Sequence, residues 1–533
     1  MATTNEIITC DHCHSKIRVR AGIGYSPKQP FAFSCKKCGT HIQGALILKE
    51  PPNVEFEFNN ATINNEIELK DAEFIVECHE DFLITNEPIQ GEIYKPSPYL
   101  SAFSLMKGNM FEFEKDISLF SLNKKELKNK LFRLNNFYIN DQNSEFKIES
   151  ENLINSNSKN EIYKSLIQLN EIYFIPILDK QKVYSNNSLF KNEILKLLND
   201  KSTFLFNFIG KLDSLKYFKN QLKENLQLME RFDDLFFEIK PIITLNYMDR
   251  ENKDFLNFSI IDFNKTKQFY IDLFECVGRE INALIGLRNI DVNKDFNTLN
   301  IPQFRKISNF AKCMTSTNGN KKKFLENSPY NILINDIFDN KLRNGLGHYK
   351  CQLNLSTMII DYYPDKDDIT KSKKESISYM DFISKLYDLF NLLISLMYLK
   401  ALLFSIYYAN KSKATLSLKN VNLIVINESP TVRLFYYWNG TDYSNSEITK
   451  HNFNYWNFFD IYSIFDNPNI EVEFDDKFIF VKMYAKKLCE FKISENLDWF
   501  NHLSNTGNFV IEQQSTYSVI PFFNAELAIP NIL

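Results

Sequence analysis

Glycine is scarce in this chain, with 14 among 533 residues. Neither GxGxxG nor GxxxxGK[ST] occurs, so a glycine-rich loop cradling phosphates is excluded. Arginine (10, against 52 lysines), histidine (7) and tryptophan (3) are also few. An Arg–His or Cys–His constellation therefore stands out. No excess of positive charge exists: the formal net charge is −4. Whole-molecule adhesion to nucleic acid is thereby ruled out, and any such contact must be a local patch or pocket. Met1–Ile8 has neither a basic n-region nor an apolar h-region, so no secretory signal is read. The longest apolar run, Leu389–Tyr408, contains Asn391 and Lys400 and follows Asp388. A membrane span wants about 20 apolar residues with few or no charges. A buried helix is expected instead, and no membrane partner.

Hydrophobic residues make up 44% and charged residues 24%, ordinary for a folded protein. The many Phe, Tyr, Lys and Asn share A/T-rich codons, which makes genome bias the simple source of the aromatic content. The length predicts several domains. The fold class expected is a multidomain α+β protein, mainly α-helical. Residues 1–50 form a metal-stapled module, 51–110 a β-rich segment, 111–260 a helical region, 261–412 a second helical domain and 413–533 a β-rich α+β module. Val54–Phe58 alternates with period two, as a half-buried strand does. Leu212–Phe237 reads as one long helix ending before Pro241, and Ile332–Leu342 as another. Strands are expected at Ala414–Leu418, Val421–Ile426, Val432–Trp438, Ile470–Phe474 and Phe478–Tyr484.

Four of the nine cysteines have metal-ligand spacing: Cys10-x2-Cys13-x21-Cys35-x2-Cys38. Two such knuckles can place four thiolates around one tetrahedral Zn²⁺. Gly39 suits the tight turn after the second pair. Ile17–Arg20 and Phe31–Phe33 alternate like the strands of a small hairpin. This pattern resembles a zinc ribbon. Zinc there is structural, because four protein ligands leave no open coordination position. His12, His14 and His41 are read as bystanders. The ribbon is either a structural staple or a contact surface for nucleic acid or protein through Lys16, Arg18, Arg20, Lys28, Lys36 and Lys37. Disulfide chemistry is disfavoured, and a cytoplasmic location is expected.

The second motif is Arg343-Asn344-Gly-Leu-Gly-His348, at the end of one helical pattern and before the long helix Ser378–Tyr408. A bare R-x4–6-H pattern would arise about 0.4 times by chance in such a chain. The four-residue spacing with Asn after Arg lowers that to about 0.01. RNA cleavage by its own 2′-OH needs a group near neutral pKa to move a proton, which histidine supplies. It also needs a cation on the phosphorane, for which arginine offers planar bidentate donors.

The arrangement over about 260–410 resembles the HEPN superfamily of helical domains, found in many RNA-cleaving toxins and anti-phage effectors. The resemblance implies a metal-independent endoribonuclease leaving 2′,3′-cyclic phosphates. His348 would be the general acid/base, Arg343 the phosphate clamp and Asn344 a polar helper. It also implies RNA as substrate, a homodimer with a composite site, no catalytic cofactor, and a phage-derived or nucleic-acid trigger in abortive infection. Glu275, Glu280 and Asp339 are candidate acidic partners. The alternative reading is a zinc-ribbon scaffold whose helical domain only binds RNA or dimerises.

Overall fold

A computed structural model describes residues 3–24, 26–49, 53–79, 83–88, 106, 109–150, 159–248, 258, 262–299, 307–347, 350–355, 357–365, 373–411 and strands between 422 and 492. The fold is mixed α+β and mainly helical among these residues. The chain divides into two compact units. The first comprises Met1–Leu119, Gln227–Arg279 and Thr317–Asn391; the second comprises Phe120–Leu226, Glu280–Ser316 and Leu392–Leu533.

The first unit begins with eight strands: β1 (Thr3–Cys10), β2 (Lys16–Gly22), β3 (Lys28–Ser34), β4 (His41–Leu48), β5 (Val54–Asn59), β6 (Ala61–Ile63), β7 (Phe74–Cys78) and β8 (Leu83–Pro88). They form a sheet of order β6-β1-β2-β7-β8 and a second of order β3-β4-β5. Among the described residues only the β2–β7 pairing is parallel; it sets Val19 beside Val76. Strand β2 buries Ile17, Val19 and Ala21 and turns Lys16, Arg18 and Arg20 outward, the period-two alternation its sequence dictates. Ile8, Ile17, Val19 and Val76 of one sheet share a core with Phe31, Phe33, Ile42 and Leu46 of the other. Each such side chain contributes about 1.5–3 kcal/mol by leaving water. The expected hairpin of Ile17–Arg20 with Phe31–Phe33 is not formed. These segments lie in different sheets, because each CxxC pair is itself the turn of a hairpin, β1–β2 and β3–β4. Strands on both sides of residue 50 also share a sheet, since β4 pairs with β5.

The helices are α1 (Met110–Glu126), α2 (Lys128–Ile139), α3 (Asn143–Glu149), α4 (Lys159–Phe174), α5 (Lys180–Ser214), α6 (Tyr217–Asp233), α7 (Phe236–Leu245) and α8 (Phe263–Asn293). Short helices α9 (Phe310–Met314), α10 (Asn318–Leu325), α11 (Asn331–Ile334) and α12 (Asn340–Gly347) follow. Then come β9 (Cys351–Asn354), β10 (Ile359–Tyr362) and β11 (Glu375–Ser378), a three-stranded sheet of order β11-β10-β9, and helix α13 (Tyr379–Lys411). The expected single helix over Leu212–Phe237 is three elements. Lys216 adopts a left-handed φ of 55° and breaks the first junction, while α7 carries Pro241 inside it. Likewise Ile332–Leu342 divides, because the Asp339 carboxylate accepts the N–H groups of Lys341 and Leu342 and starts a new helix there.

In the first unit, Phe274 of α8 stacks on Phe338, with centroids 4.0 Å apart and planes at 6°. This joins α8 to the segment entering α12. Phe232 of α6 stacks on Phe390 of α13. Gly345 lets α12 approach β10, since a Cβ there would collide with Tyr362. Ser378 opens α13 as a cap: its Oγ accepts the Asp381 N–H and its O–H donates to the Asp381 carboxylate.

In the second unit, α5 packs on α8 where the Phe208 ring fills the space left by Gly286. Lys400 of α13 and Glu280 of α8 form a fully buried ion pair. The Asn225 amide donates to Glu280 Oε1 at 3.0 Å and the Tyr217 hydroxyl to Oε2 at 3.2 Å. These bonds account for a lysine in so apolar a helix. The stretch Tyr379–Phe404 is long and apolar enough to cross a membrane, and 94% of its most apolar window is buried in the fold. Strands β12 (Asn422–Ile426) and β13 (Thr431–Tyr436) pair, as do β14 (Ile470–Phe474), β15 (Phe478–Met483) and β16 (Lys486–Lys492). The strand expected at Ala414–Leu418 lies outside the described residues.

Candidate functional site

Two sites emerge, both within the first unit. At the four-cysteine cluster, the turn between β1 and β2 and the turn between β3 and β4 are built alike. The His14 N–H donates to the Cys10 carbonyl at 2.9 Å, and the Gly39 N–H to the Cys35 carbonyl at 2.8 Å. The Cys10 N–H donates to the Ser15 carbonyl at 3.0 Å, and the Cys35 N–H to the Thr40 carbonyl at 2.8 Å. Gly39 is left-handed at φ 74°, as its sequence position predicts; His14 takes the matching position at φ 58°. All four sulfurs lie within 4.8 Å of one another. Cys10 and Cys38 Sγ are 3.8 Å apart, and Cys13 and Cys35 Sγ 3.6 Å. A tetrahedral zinc with Zn–S bonds of about 2.3 Å requires S–S edges of about 3.8 Å. The donor set therefore fits one zinc held by four thiolates.

Burial pushes the Cys35 thiol up to about 12 and raises Cys10 as well. At Cys13 burial also raises the pKa, but the Ser15 hydroxyl and N–H, with the neighbouring thiols, outweigh it and bring the group to about 6. Ser15 Oγ stands 3.2 Å from Cys13 Sγ, and Thr40 Oγ1 3.1 Å from Cys38 Sγ. Among the described residues no histidine joins the cluster. The basic residues proposed as one contact face are largely committed elsewhere. Arg20 pairs with Glu77 at 3.1 Å, Lys28 with Glu57 at 2.8 Å, and Lys37 with Glu73 at 3.5 Å. Arg18 donates to Asn5 at 2.9 Å.

The second site gathers around Arg343 on α12. Its Nη2 stands 2.6 Å from Glu275 Oε1 on α8. The other carboxylate oxygen accepts from the Asn318 amide at 3.1 Å. Asn318 lies against Gly278, where a Cβ would collide with its amide, and the Lys321 ammonium donates to the Gly278 carbonyl at 2.9 Å. One turn of α8, Glu275 to Gly278, thus holds both α10 and α12. Arg343 Nη1 lies beside Gly347, where a Cβ would stand 3.6 Å away. Its Nε is buried without an acceptor. Asn344 is half-buried next to it. His348, expected as the proton-transfer group, and Tyr349 lie outside the described residues.

Of the three acids singled out in the sequence, Glu275 pairs with Arg343. Asp339 caps α12 and faces Lys385 at 3.5 Å. Glu280 is engaged with buried Lys400 in the other unit. Asn318 and Gly278 carried no sequence signal, because their link to Arg343 runs through a carboxylate 68 positions before it in the chain. No known protein family, curated protein or solved structure matches this chain.

Proposed function

We propose that this chain is a metal-independent endoribonuclease of the HEPN type, an effector of a toxin or abortive-infection system that acts as a homodimer. The observation that carries the reading is the Arg343–Glu275–Asn318 constellation, at the end of α12 and ahead of the long α13. A guanidinium bound on one edge by a carboxylate is oriented but retains donors. Nη2 is engaged by Glu275, while Nη1 on the Gly347 side is available to a phosphate. Arg343 neutralises the phosphorane formed as the 2′-OH attacks. His348 moves the proton off the 2′-OH and onto the 5′-leaving oxygen. Asn344 orients the phosphate or His348, and Glu275 keeps the guanidinium in one rotamer. The zinc module is structural in this scheme. A second motif of this kind is absent from the sequence, so a composite site requires a second copy of the chain.

The test is incubation of full-length wild type and His348→Ala with single-stranded RNA in EDTA. Cleavage by wild type alone supports the reading. Equal cleavage by both, or toxicity on expression that His348→Ala does not relieve, favours the non-catalytic scaffold.

A further inference from the structure

Helix α12 is held from two opposite faces within the first unit. Successive residues of a helix turn by about 100°, so Lys341 and Gly345 share one face and Arg343 lies on the other. The Arg343 face meets Glu275 of α8. The opposite face meets the small sheet β9–β11. Gly345 lies so close to β10 that a Cβ there would stand 2.6 Å from the Tyr362 ring. Lys341 Nζ pairs with Glu375 Oε1 of β11 at 2.8 Å. The Tyr362 hydroxyl donates to the other oxygen, Glu375 Oε2, at 3.1 Å. One carboxylate therefore ties the ring beside Gly345 to the lysine one turn earlier on the same helix.

The register of the sheet explains why these groups meet. Cys351, Tyr362 and Glu375 stand directly across from one another, so their side chains form one row on one face. Asp361 belongs to the opposite face, where its carboxylate accepts from the Ser376 hydroxyl at 2.6 Å and the Lys374 ammonium at 3.1 Å. Burial, with the carboxylates of Asp339 and Glu375, pushes the Tyr362 hydroxyl up, so it remains a donor at neutral pH.

Strand β10 also reaches the far end of the R-N-x3-H segment. The Tyr363 N–H donates to the Lys350 carbonyl at 3.0 Å. Adjacent residues of one strand thus hold Gly345, ahead of His348 in the chain, and Lys350, just after it. The sheet is itself anchored at its other end. The Tyr379 N–H, at the start of α13, donates to the Met358 carbonyl at 2.8 Å, and the Ser34 hydroxyl of β3 donates to the Leu355 carbonyl at 3.1 Å.

We propose that Tyr362 is a positioning residue for RNA cleavage. Bonded to Glu375 and packed on Gly345, it holds the turn of α12 that carries Arg343 and the chain leading to His348. The role in cleavage rests on the ribonuclease reading. Glu275 fixes the guanidinium from one side, and Tyr362 fixes the helix beneath it from the other. A misplacement of about 1 Å at a reacting group can cost about 100-fold in rate. A loosened α12 is therefore felt in the chemical step rather than in RNA binding.

The experiment compares four variants of the full-length protein. Tyr362→Phe keeps the ring on Gly345 and deletes its bond to Glu375. Glu375→Ala removes both bonds of the carboxylate, while Glu375→Gln keeps an acceptor for the hydroxyl. Asp361→Ala is the control, since it loosens the same sheet from the face away from α12. The readouts are single-turnover cleavage, affinity for a labelled single-stranded RNA in a His348→Ala background, hydrogen exchange of the α12 amides, and thermal unfolding. Tyr362→Phe and Glu375→Ala are expected to slow cleavage about tenfold or more, to leave RNA affinity unchanged and to speed exchange in α12. Glu375→Gln is expected to retain part of the rate. Asp361→Ala is expected to leave cleavage and α12 exchange unchanged, even where its melting temperature falls as far. Should Tyr362→Phe unfold, Glu375→Ala carries the test. Unchanged α12 exchange in the folded variants overturns the inference, as does an equal loss of cleavage in Asp361→Ala. Tyr362-dependent exchange in a protein that never cleaves RNA removes the ribonuclease and keeps the hold on α12. His348-dependent cleavage that Tyr362→Phe and Glu375→Ala leave intact does the reverse.

Discussion

Glu275 and Arg343 face each other across α8 and α12, Oε1 to Nη2 at 2.6 Å, with side chains 35% and 27% exposed. A pair this open to water contributes only about 0–1 kcal/mol to stability. Under the proposed ribonuclease reading, the pair serves to orient the Arg343 guanidinium rather than to staple the fold.

Glu275→Gln is accordingly expected to leave the melting temperature nearly unchanged and to lower RNA cleavage about 10–100-fold, the range for a lost orienting contact. Arg343→Ala is expected to lose more, and Arg343→Lys not to recover it, because an ammonium lacks the planar fork. Single-turnover cleavage with parallel thermal unfolding checks both.

The four-cysteine site is expected to hold one zinc per chain, read by native mass spectrometry or metal analysis. Cys10→Ser and Cys35→Ser should abolish that stoichiometry and unfold the two-sheet module. Binding must displace protons from thiols that burial raises, Cys35 to about 12 and Cys10 upward. Protons therefore compete with metal. Apparent zinc affinity, and the stability it supplies, should fall as pH is lowered and rise as pH is raised. A zinc titration at several pH values shows the sign directly.

The Lys400–Glu280 pair is sealed from water. Lys400→Met leaves a buried carboxylate without its cation and is expected to destabilise the protein by about 3–5 kcal/mol. Lys400→Met with Glu280→Gln should recover much of that loss, since neither charge then remains. Chemical denaturation of the two variants separates a charge effect from a packing effect.

Two glycines of the R-N-x3-H segment are expected to behave differently. Gly345→Ala forces a Cβ into the Tyr362 ring, and overpacking of this kind costs about 1–3 kcal/mol. Gly347→Ala meets only ordinary contact with Arg343 Nη1 and should change stability by less than about 1 kcal/mol, while crowding the guanidinium edge offered to phosphate. Cleavage reduced without a change in melting temperature is the outcome expected for Gly347→Ala.

The local chemistry was the legible part. Thiol spacing announced the four-cysteine cluster, and Gly39 announced its turn, because both depend on a few neighbouring residues. His14 hid the matching turn: a non-glycine residue at positive φ leaves no trace in composition. Apolar periodicity located α8 and α13, whose buried stripes repeat over many turns. It failed at Lys216 and Asp339, where one backbone angle or one capping carboxylate divides a continuous pattern. Strands β9–β11 are four residues each, too short for alternation to show. The parallel β2–β7 pairing and the Glu275–Arg343 contact join residues far apart in the chain, and neither has a local signature.

The central claim is tested most directly by the chemistry of the RNA ends produced by the full-length protein in EDTA. Attack by the 2′-OH, with Arg343 on the phosphate, predicts 2′,3′-cyclic phosphate and 5′-hydroxyl termini, lost together in Arg343→Ala and His348→Ala. Products bearing 5′-phosphate and 3′-hydroxyl, or cleavage that survives both substitutions, would contradict it.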